Sequence, residues 1–233
     1  MILLFDKKIG ETMDEMIRRF RQEYSIDNKT KVAYAGRLDP LAFGKIILLT
    51  DRDIYDKEKY CGKDKTYTCW IVHGIQTDTY DIMGKITGEN IWEPIYNDVE
   101  DLEYEQQYPM YSSIYVIQDG IRKPLWYYEK NNIKVVNMPS KKVKLISSEK
   151  ILEETISSTE LFRIINNRIE RVKKDTYRQD EIIALWKDKL DINNNYTISK
   201  WKFTITSGGY IRYLANKMNG CCYDIERVCY HDL

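Results

Sequence analysis

From Lys65 to Val72 the chain reads KTYTCWIV, a β-prone run that never becomes amphipathic. In an extended chain Tyr67, Cys69 and Ile71 point one way and Thr66, Thr68, Trp70 and Val72 the other. Both faces are largely apolar, so the segment reads as a central strand rather than as one that shows a face to water. The rest of the fold has to be built around it.

Residues 2–5 read as a short strand. Thr12 followed three residues later by Glu15 gives a capping box, after which Met13, Met16, Ile17, Phe20 and Tyr24 recur at helical spacing, with Arg18, Arg19 and Arg21 on the other face. A strand is expected near Lys142–Leu145, and another where Trp201, Phe203 and Ile205 alternate with Lys200, Lys202, Thr204 and Thr206. Ser207-Gly208-Gly209 ends that strand, and Ile211, Leu214, Ala215 and Met218 restart at helical period, which puts Arg212 in a first helical turn. Between these two strands a charged, helix-prone stretch carries Phe162, Ile165, Ile169 and Val172, then Ile182, Ile183, Leu185, Trp186 and Leu190. It predicts a helical insert over 148–195, closed by the polar loop Asn193-Asn194-Asn195. The fold class is α+β, one domain over 1–233 with a mainly antiparallel mixed sheet and flanking helices.

Lys+Arg and Asp+Glu both number 36, so the formal net charge is zero. A nucleic-acid partner then requires basic residues gathered on one face. Candidates lie between Arg18 and Lys31, at Lys63 and Lys65, at Arg122 and Lys123, and from Lys141 to Lys144, while the acidic surplus falls in Glu89–Glu105 and is expected to face away. Five cysteines without framework spacing imply reduced thiols and an intracellular, cytoplasmic protein. The apolar opening Met1–Phe5 is cut short by Asp6, no segment is long enough for a membrane span, and no membrane partner is expected. Cys221, Cys222, Cys229 and His231 cluster without zinc-site spacing, and with His73 as the only other histidine no metal is expected; these read as buried thiols.

The chemistry-bearing segment is YAGRLDPLAFGKIILL, residues 34–49. Asp39 sits in a turn fixed by Pro40 and backed by the apolar run Ile46–Leu49, a rigid base from which a carboxylate can face a cleft. On its own an Asp-Pro pair is a turn. Four further blocks change its meaning: DKKIGET (6–12), KTYTCWIVHGIQTDTYDIMGKI (65–86), YPMYSSIYV (108–116) and SGGYIRYLA (207–215). In order and approximate spacing the five segments resemble the motifs of the TruB family of tRNA pseudouridine synthases, respectively GTLDPxAxG, DKPxGxTS, KxYxxxxxxGxxTDTxDxxGxI, PPxYSAxKV and SxGTYIRxLA.

That resemblance implies the pseudouridine-synthase fold with a cleft crossing the sheet, and an activity that isomerises a flipped-out uridine of RNA, uridine 55 in the T-arm stem-loop of tRNA. It implies no cofactor, since the reaction is redox-neutral, and this agrees with a chain that has no P-loop and no dinucleotide fingerprint. By the same resemblance Asp39 is the catalytic carboxylate, as nucleophile or as base, and Tyr67 stacks on the target base and helps remove its proton. Arg212 supplies the positive charge that keeps Asp39 ionised in a dry site. A cation in a first helical turn opposes the helix dipole, which makes sense when an anion sits opposite. Lys7, Tyr34, Arg37, Lys65, Thr77, Asp78, Thr79 and Tyr111 are the expected RNA contacts, the TDT loop being otherwise a self-capped turn.

Three positions depart from the family pattern: Lys8 replaces a proline, Tyr34 a histidine and Arg37 a small residue. The family's C-terminal RNA-binding PUA domain finds no room before Leu233. The 148–195 insert, which the motifs leave uncovered, is expected to be an appendage that positions RNA or a protein and is dispensable for chemistry. Two other readings stay open: the same chemistry on another RNA, and an RNA-binding or remodelling protein that keeps the fold with weak or no catalysis.

Overall fold

The computed structural model describes residues 1–89, 100–173, 177–190 and 194–232. The run that is apolar on both faces forms β4 (Lys65–His73), with neighbours on both edges in an eight-stranded sheet. Across that sheet the order is β1 (Ile2–Lys7), β3 (Ala42–Thr50), β12 (Gly220–Tyr230), β4, β11 (Asn195–Ile205), β10 (Ser140–Ser157) and β7 (Glu100–Gln107), while β2 (Val32–Ala35) pairs with β3. All these pairings are antiparallel except that of β12 with β3, which runs parallel from Ile225–Ala42 to Arg227–Gly44. The mainly antiparallel mixed sheet with flanking helices is the architecture that the alternation predicts.

Each face of β4 is covered by a different layer. On one side Tyr67, Cys69 and Ile71 join Trp201, Phe203 and Ile205 of β11 and pack under α6 (Ile211–Lys217) through Ile211, Leu214 and Ala215. On the other, Val72, Ile198, Cys221 and Tyr223 lie under α4 (Ser158–Glu170) and α5 (Gln179–Lys189), whose Leu161, Ile165, Ile169, Ile182 and Trp186 are buried. A bulge between Cys222 and Asp224 shifts the alternation of β12, so Cys222 and Ile225 both reach the α6 side. α1 (Met13–Glu23) covers β1 and β3 with Met16 and Phe20, and its Thr12–Glu15 capping box is present. Two small hairpins, β5 (Ile75–Thr77) with β6 (Ile86–Glu89) and β8 (Tyr115–Gln118) with β9 (Ile121–Pro124), and two short helices, α2 (Lys57–Cys61) and α3 (Leu125–Lys130), complete the described elements apart from a 3-10 turn at Asp51–Asp56.

The helical reading of 148–195 is too wide. β10 stays extended to Ser157 and keeps pairing with β11 as far as Ser157 opposite Asn195, so residues 148–157 are strand and, among the described residues, the helices span 158–170 and 179–189. The charged composition there suits a helix, but the ladder with β11 satisfies the backbone in the extended form. Ser157 then caps α4 by accepting from the amide of Glu160. Of the polar loop, Asn193 lies outside the described residues, as do residues 90–99 of the acidic stretch; Glu100–Gln107 is the edge strand β7.

Candidate active site

Asp39 stands in the loop that carries β2 into β3. Its carbonyl accepts from the amide of Ala42 at 3.1 Å, which closes a tight turn, and the carbonyl of Pro40 accepts from the amide of Gly10 at 2.9 Å. Lys7 holds the turn from beneath: its Nζ donates to the carbonyls of Ala42 at 2.6 Å, Pro40 at 3.0 Å and Lys8 at 3.3 Å. Only 1% of Lys7 is exposed, and burial pushes its ammonium down to about 8, with the Asp39 charge opposing. Expected at RNA, Lys7 is instead a buried brace, because three turn carbonyls converge on its amine and leave no donor for a phosphate.

Arg212 approaches from α6 and is buried. Its Nε donates to Asp39 Oδ2 at 2.8 Å, and its terminal nitrogens donate to the carbonyls of Thr79 and, at 3.2 Å, Tyr111. Asp81 Oδ2 lies 3.7 Å from Nε, so the guanidinium faces two carboxylates. Burial by itself would lower the arginine's pKa, but Asp39 and Asp81 together raise it above the ordinary value. Asp81 feels the same attraction yet is pushed up to about 6, because burial outweighs Arg212 there.

Tyr67 presents from the α6 face of β4. Its hydroxyl accepts from Nε of buried Arg227 at 3.1 Å, and Arg227 also donates to the carbonyls of Gly36 at 2.9 Å and Arg37 at 3.0 Å and to the Tyr230 hydroxyl at 2.8 Å. Arg227 thus ties the tyrosine to the backbone that leads into Asp39. This close approach of β3 and β12 needs a glycine: at Gly44 (φ +97°) a Cβ would stand 2.4 Å from the Arg227 carbonyl.

Asp39, Tyr67 and Arg212 line one cleft of about 240 Å³, with Arg37, Lys65 and Gly209 also on its wall. That is below the ~300–1,000 Å³ typical of drug-sized pockets. Among the other expected RNA contacts, Arg37 is exposed on the cleft. Lys65 lines it but turns its amine to the carbonyls of Cys61, at 2.9 Å, and Lys63, and burial pushes it down to about 8. Tyr34 packs against the Phe5, Met16 and Phe20 cluster, outside the cleft lining. Thr77 and Thr79 turn inward, donating to Asp81 O at 2.7 Å and Asp81 Oδ1 at 2.6 Å, so the TDT loop is the self-capped turn. Asp78 accepts from the Lys85 amide at 2.8 Å and pairs with Arg178 at 3.2 Å, while Tyr111 offers Arg212 its carbonyl and lies under the Arg178 guanidinium, 4.7 Å from the ring centroid.

Sequence reasoning missed Arg178 and Arg227, and it read Asp81 as part of an RNA-facing loop, whereas Asp81 is buried and faces Arg212. Arg227 was visible as an arginine two residues beyond the apolar Ile225 on a strand; Arg178 gave no signal. Cys221 and Cys222 are buried on β12, their thiols pushed up by burial. Among the described residues no group of His, Cys, Asp and Glu has the arrangement to hold a metal ion, and no helix is long and apolar enough to cross a membrane.

A family model described as "TruB family pseudouridylate synthase (N terminal domain)" matches residues 21–177. The chain belongs to the TruB family. Its match extends through α4, which the motif resemblance leaves uncovered. TruB relatives include tRNA pseudouridine synthase B of Mesoplasma florum, 30% identical over 68% of this chain and 56% of that protein. The same enzyme of Caldicellulosiruptor saccharolyticus is 35% identical over 48% of this chain and 40% of its own length. The chain thus spans about half the length of these TruB proteins or less. Among solved structures, a chain in a crystal structure of a Cbf5–Nop10–Gar1 complex is similar at a TM-score of 0.47 with 12% identity, over 98% of this chain and 48% of that one, too distant to bear on function.

Proposed function

We propose that this chain is an RNA pseudouridine synthase acting on tRNA, with the T-arm uridine 55 as its target and the cytoplasm as its place of work. The observation that carries this reading is the Asp39–Arg212 pair: a carboxylate 34% exposed toward the cleft, bound by a guanidinium only 3% exposed. Uridine and pseudouridine are isomers. The C1′–N1 bond must break, the base must turn, C5 must bond to C1′, and the C5 proton must leave while N1 gains one. Nothing is oxidised or reduced.

In this reading Asp39 acts on the sugar side of that sequence, as nucleophile toward C1′ or as base. Arg212 keeps it charged when a base fills the cleft and excludes water. Tyr67, its phenol accepting a hydrogen bond from Arg227, is assigned the stacking on the base and a share in removing the C5 proton. Extruding the uridine costs a few kcal/mol, offset by stacking and by phosphate contacts to which exposed Arg37 contributes.

The test is tritium release from uridines labelled at C5, in a panel of a T-arm stem-loop, whole tRNA and unrelated RNAs. Release from the T-arm substrate, lost in Asp39→Asn, supports the reading. Release only from another RNA moves the target, and binding without release from any RNA overturns the catalytic assignment.

A further inference from the structure

We propose that the α4–α5 helix pair is a wall of the active site rather than a detachable appendage, with Arg178 as the positioning residue that fixes the two loops holding Arg212. This rests on the reading of Asp39 and Arg212 as the working pair.

Arg212 is held from inside the molecule by two backbone carbonyls, Thr79 on the loop between β5 and β6 and Tyr111 on the segment before β8. Arg178 reaches the same two segments from the other side. Both its terminal nitrogens stand 3.2 Å from Asp78 Oδ2, one residue before Thr79, and its guanidinium covers the Tyr111 ring. The two arginines therefore clamp the same pair of loops, one through backbone oxygens and one through side chains. At Arg178 the backbone is left-handed (φ 58°), a conformation unfavourable for a residue with a Cβ. The fold keeps that strain at the head of α5, where it aims this side chain at the loops.

Neighbouring contacts fasten the helix pair at both halves of the site. Fully buried Trp186 of α5 donates from Nε1 to the carbonyl of Ile82 at 3.1 Å, next to Asp81. At the end of α4, the Arg171 carbonyl presses on Gly10 so closely that a Cβ there (φ +79°) would stand 2.3 Å from it, and the Gly10 amide donates to Pro40, beside Asp39. One helix backs the loop of Arg212's partners, and the other backs the turn of Asp39.

A part-exposed Arg–Asp pair, with 30% and 18% of its side chains accessible, adds little to global stability. Its effect belongs in geometry, where a displacement of about 1 Å can cost roughly 100-fold in rate. Arg178→Met and, keeping the arginine, Asp78→Asn should each melt near the parental temperature. Each should also lower kcat by roughly 10- to 100-fold with KM little changed. The double variant should be no worse than Arg178→Met alone, because that substitution already removes the Asp78 contact along with the cover over Tyr111. Lysine should not rescue, since it cannot make a forked bond and cover the ring at once.

Hydrogen exchange on the free protein separates this idea from the catalytic reading beneath it. Amides of residues 78–85 and 110–113 should exchange faster in Arg178→Met, whatever the reaction proves to be. Unchanged exchange there overturns the proposal, as does an unchanged kcat in an enzyme whose parent turns over. A rise in KM alone, with a shallower salt dependence of RNA binding, would make Arg178 a phosphate contact and overturn it too.

Discussion

Arg212 Nε and Asp39 Oδ2 stand 2.8 Å apart across 173 residues of chain, and the two partners are unequally buried, the cation 3% exposed and the anion 34%. The inequality decides what the pair can do. A carboxylate sunk with its cation would be a structural ion pair, whereas here the positive charge is fixed inside the protein and the negative one is presented to the cleft.

Asp39→Asn should therefore abolish pseudouridine formation and leave the fold intact. The amide keeps the shape and can still accept from Arg212, but it has no charge to offer the sugar. Circular dichroism, melting temperature and RNA affinity should stay near parental values, and product formation should fall to background. Near-parental turnover by the purified variant would refute the assignment.

Arg212→Met should fail differently, by losing stability as well as activity. It leaves Asp81, buried and facing the same guanidinium, without its opposite charge, and removes the donor from the carbonyls of Thr79 and Tyr111. Breaking one side of a buried pair costs about 3–5 kcal/mol, so the urea midpoint should drop clearly, unlike that of Asp39→Asn. Equal midpoints for the two variants would show that Arg212 has no such structural share.

Lys7→Met separates a brace from an RNA contact. It removes the ammonium from the carbonyls of Ala42, Pro40 and Lys8, of which Pro40 keeps the Gly10 amide and Lys8 the Glu11 amide, for an expected loss of about 1–3 kcal/mol and a slower reaction through a loosened Asp39 turn. The slope of log affinity against log salt should not change, because Lys7 has no free donor for phosphate. A slope shallower by about 0.7–0.9 would restore Lys7 as a phosphate contact.

The pH profile should carry the signature of Asp81. Its carboxyl is raised from 3.8 to about 6 by burial, so the native state holds this proton more tightly than the unfolded chain does. The group's contribution to stability is therefore fully present below 3.8 and lost as pH rises through about 6. Activity should move the other way, rising through about 6 as the ionised form joins Asp39 in holding Arg212. Asp81→Asn should remove both inflections from a urea titration and a rate profile taken between pH 4 and 8, and persistence of either would assign it to another group.

Much of this layout was legible because local patterns and the global fold agree. The two-faced run at Lys65–Val72 could only be central, and the Thr12–Glu15 spacing fixed the start of α1. The resemblance to the TruB motifs pointed to Asp39, Tyr67 and Arg212, whose meeting depends on pairings between distant strands that no local pattern encodes. What stayed hidden are groups whose environment reverses their usual behaviour. A lysine beside a turn reads as solvated, yet Lys7 is among the most buried side chains of the molecule. Threonines in a polar loop read as outward-facing, yet Thr77 and Thr79 spend their hydroxyls on Asp81. Residues 148–157 read as helix by composition, and only the partner strand makes them β.

The strand order also sets a timetable. β3, which follows Asp39, and β4, which carries Tyr67, do not border each other; β12 lies between them and comes after both in the chain. A ribosome builds the chain from the N-terminus, so the segments bearing Asp39, Tyr67 and Arg212 all emerge before the strand that joins them. Arg227, which ties Tyr67 to the approach of Asp39, arrives with that strand. A nascent chain halted before Gly220 therefore lacks the keystone of its sheet, and the cleft gains its chemistry only once β12 has been made.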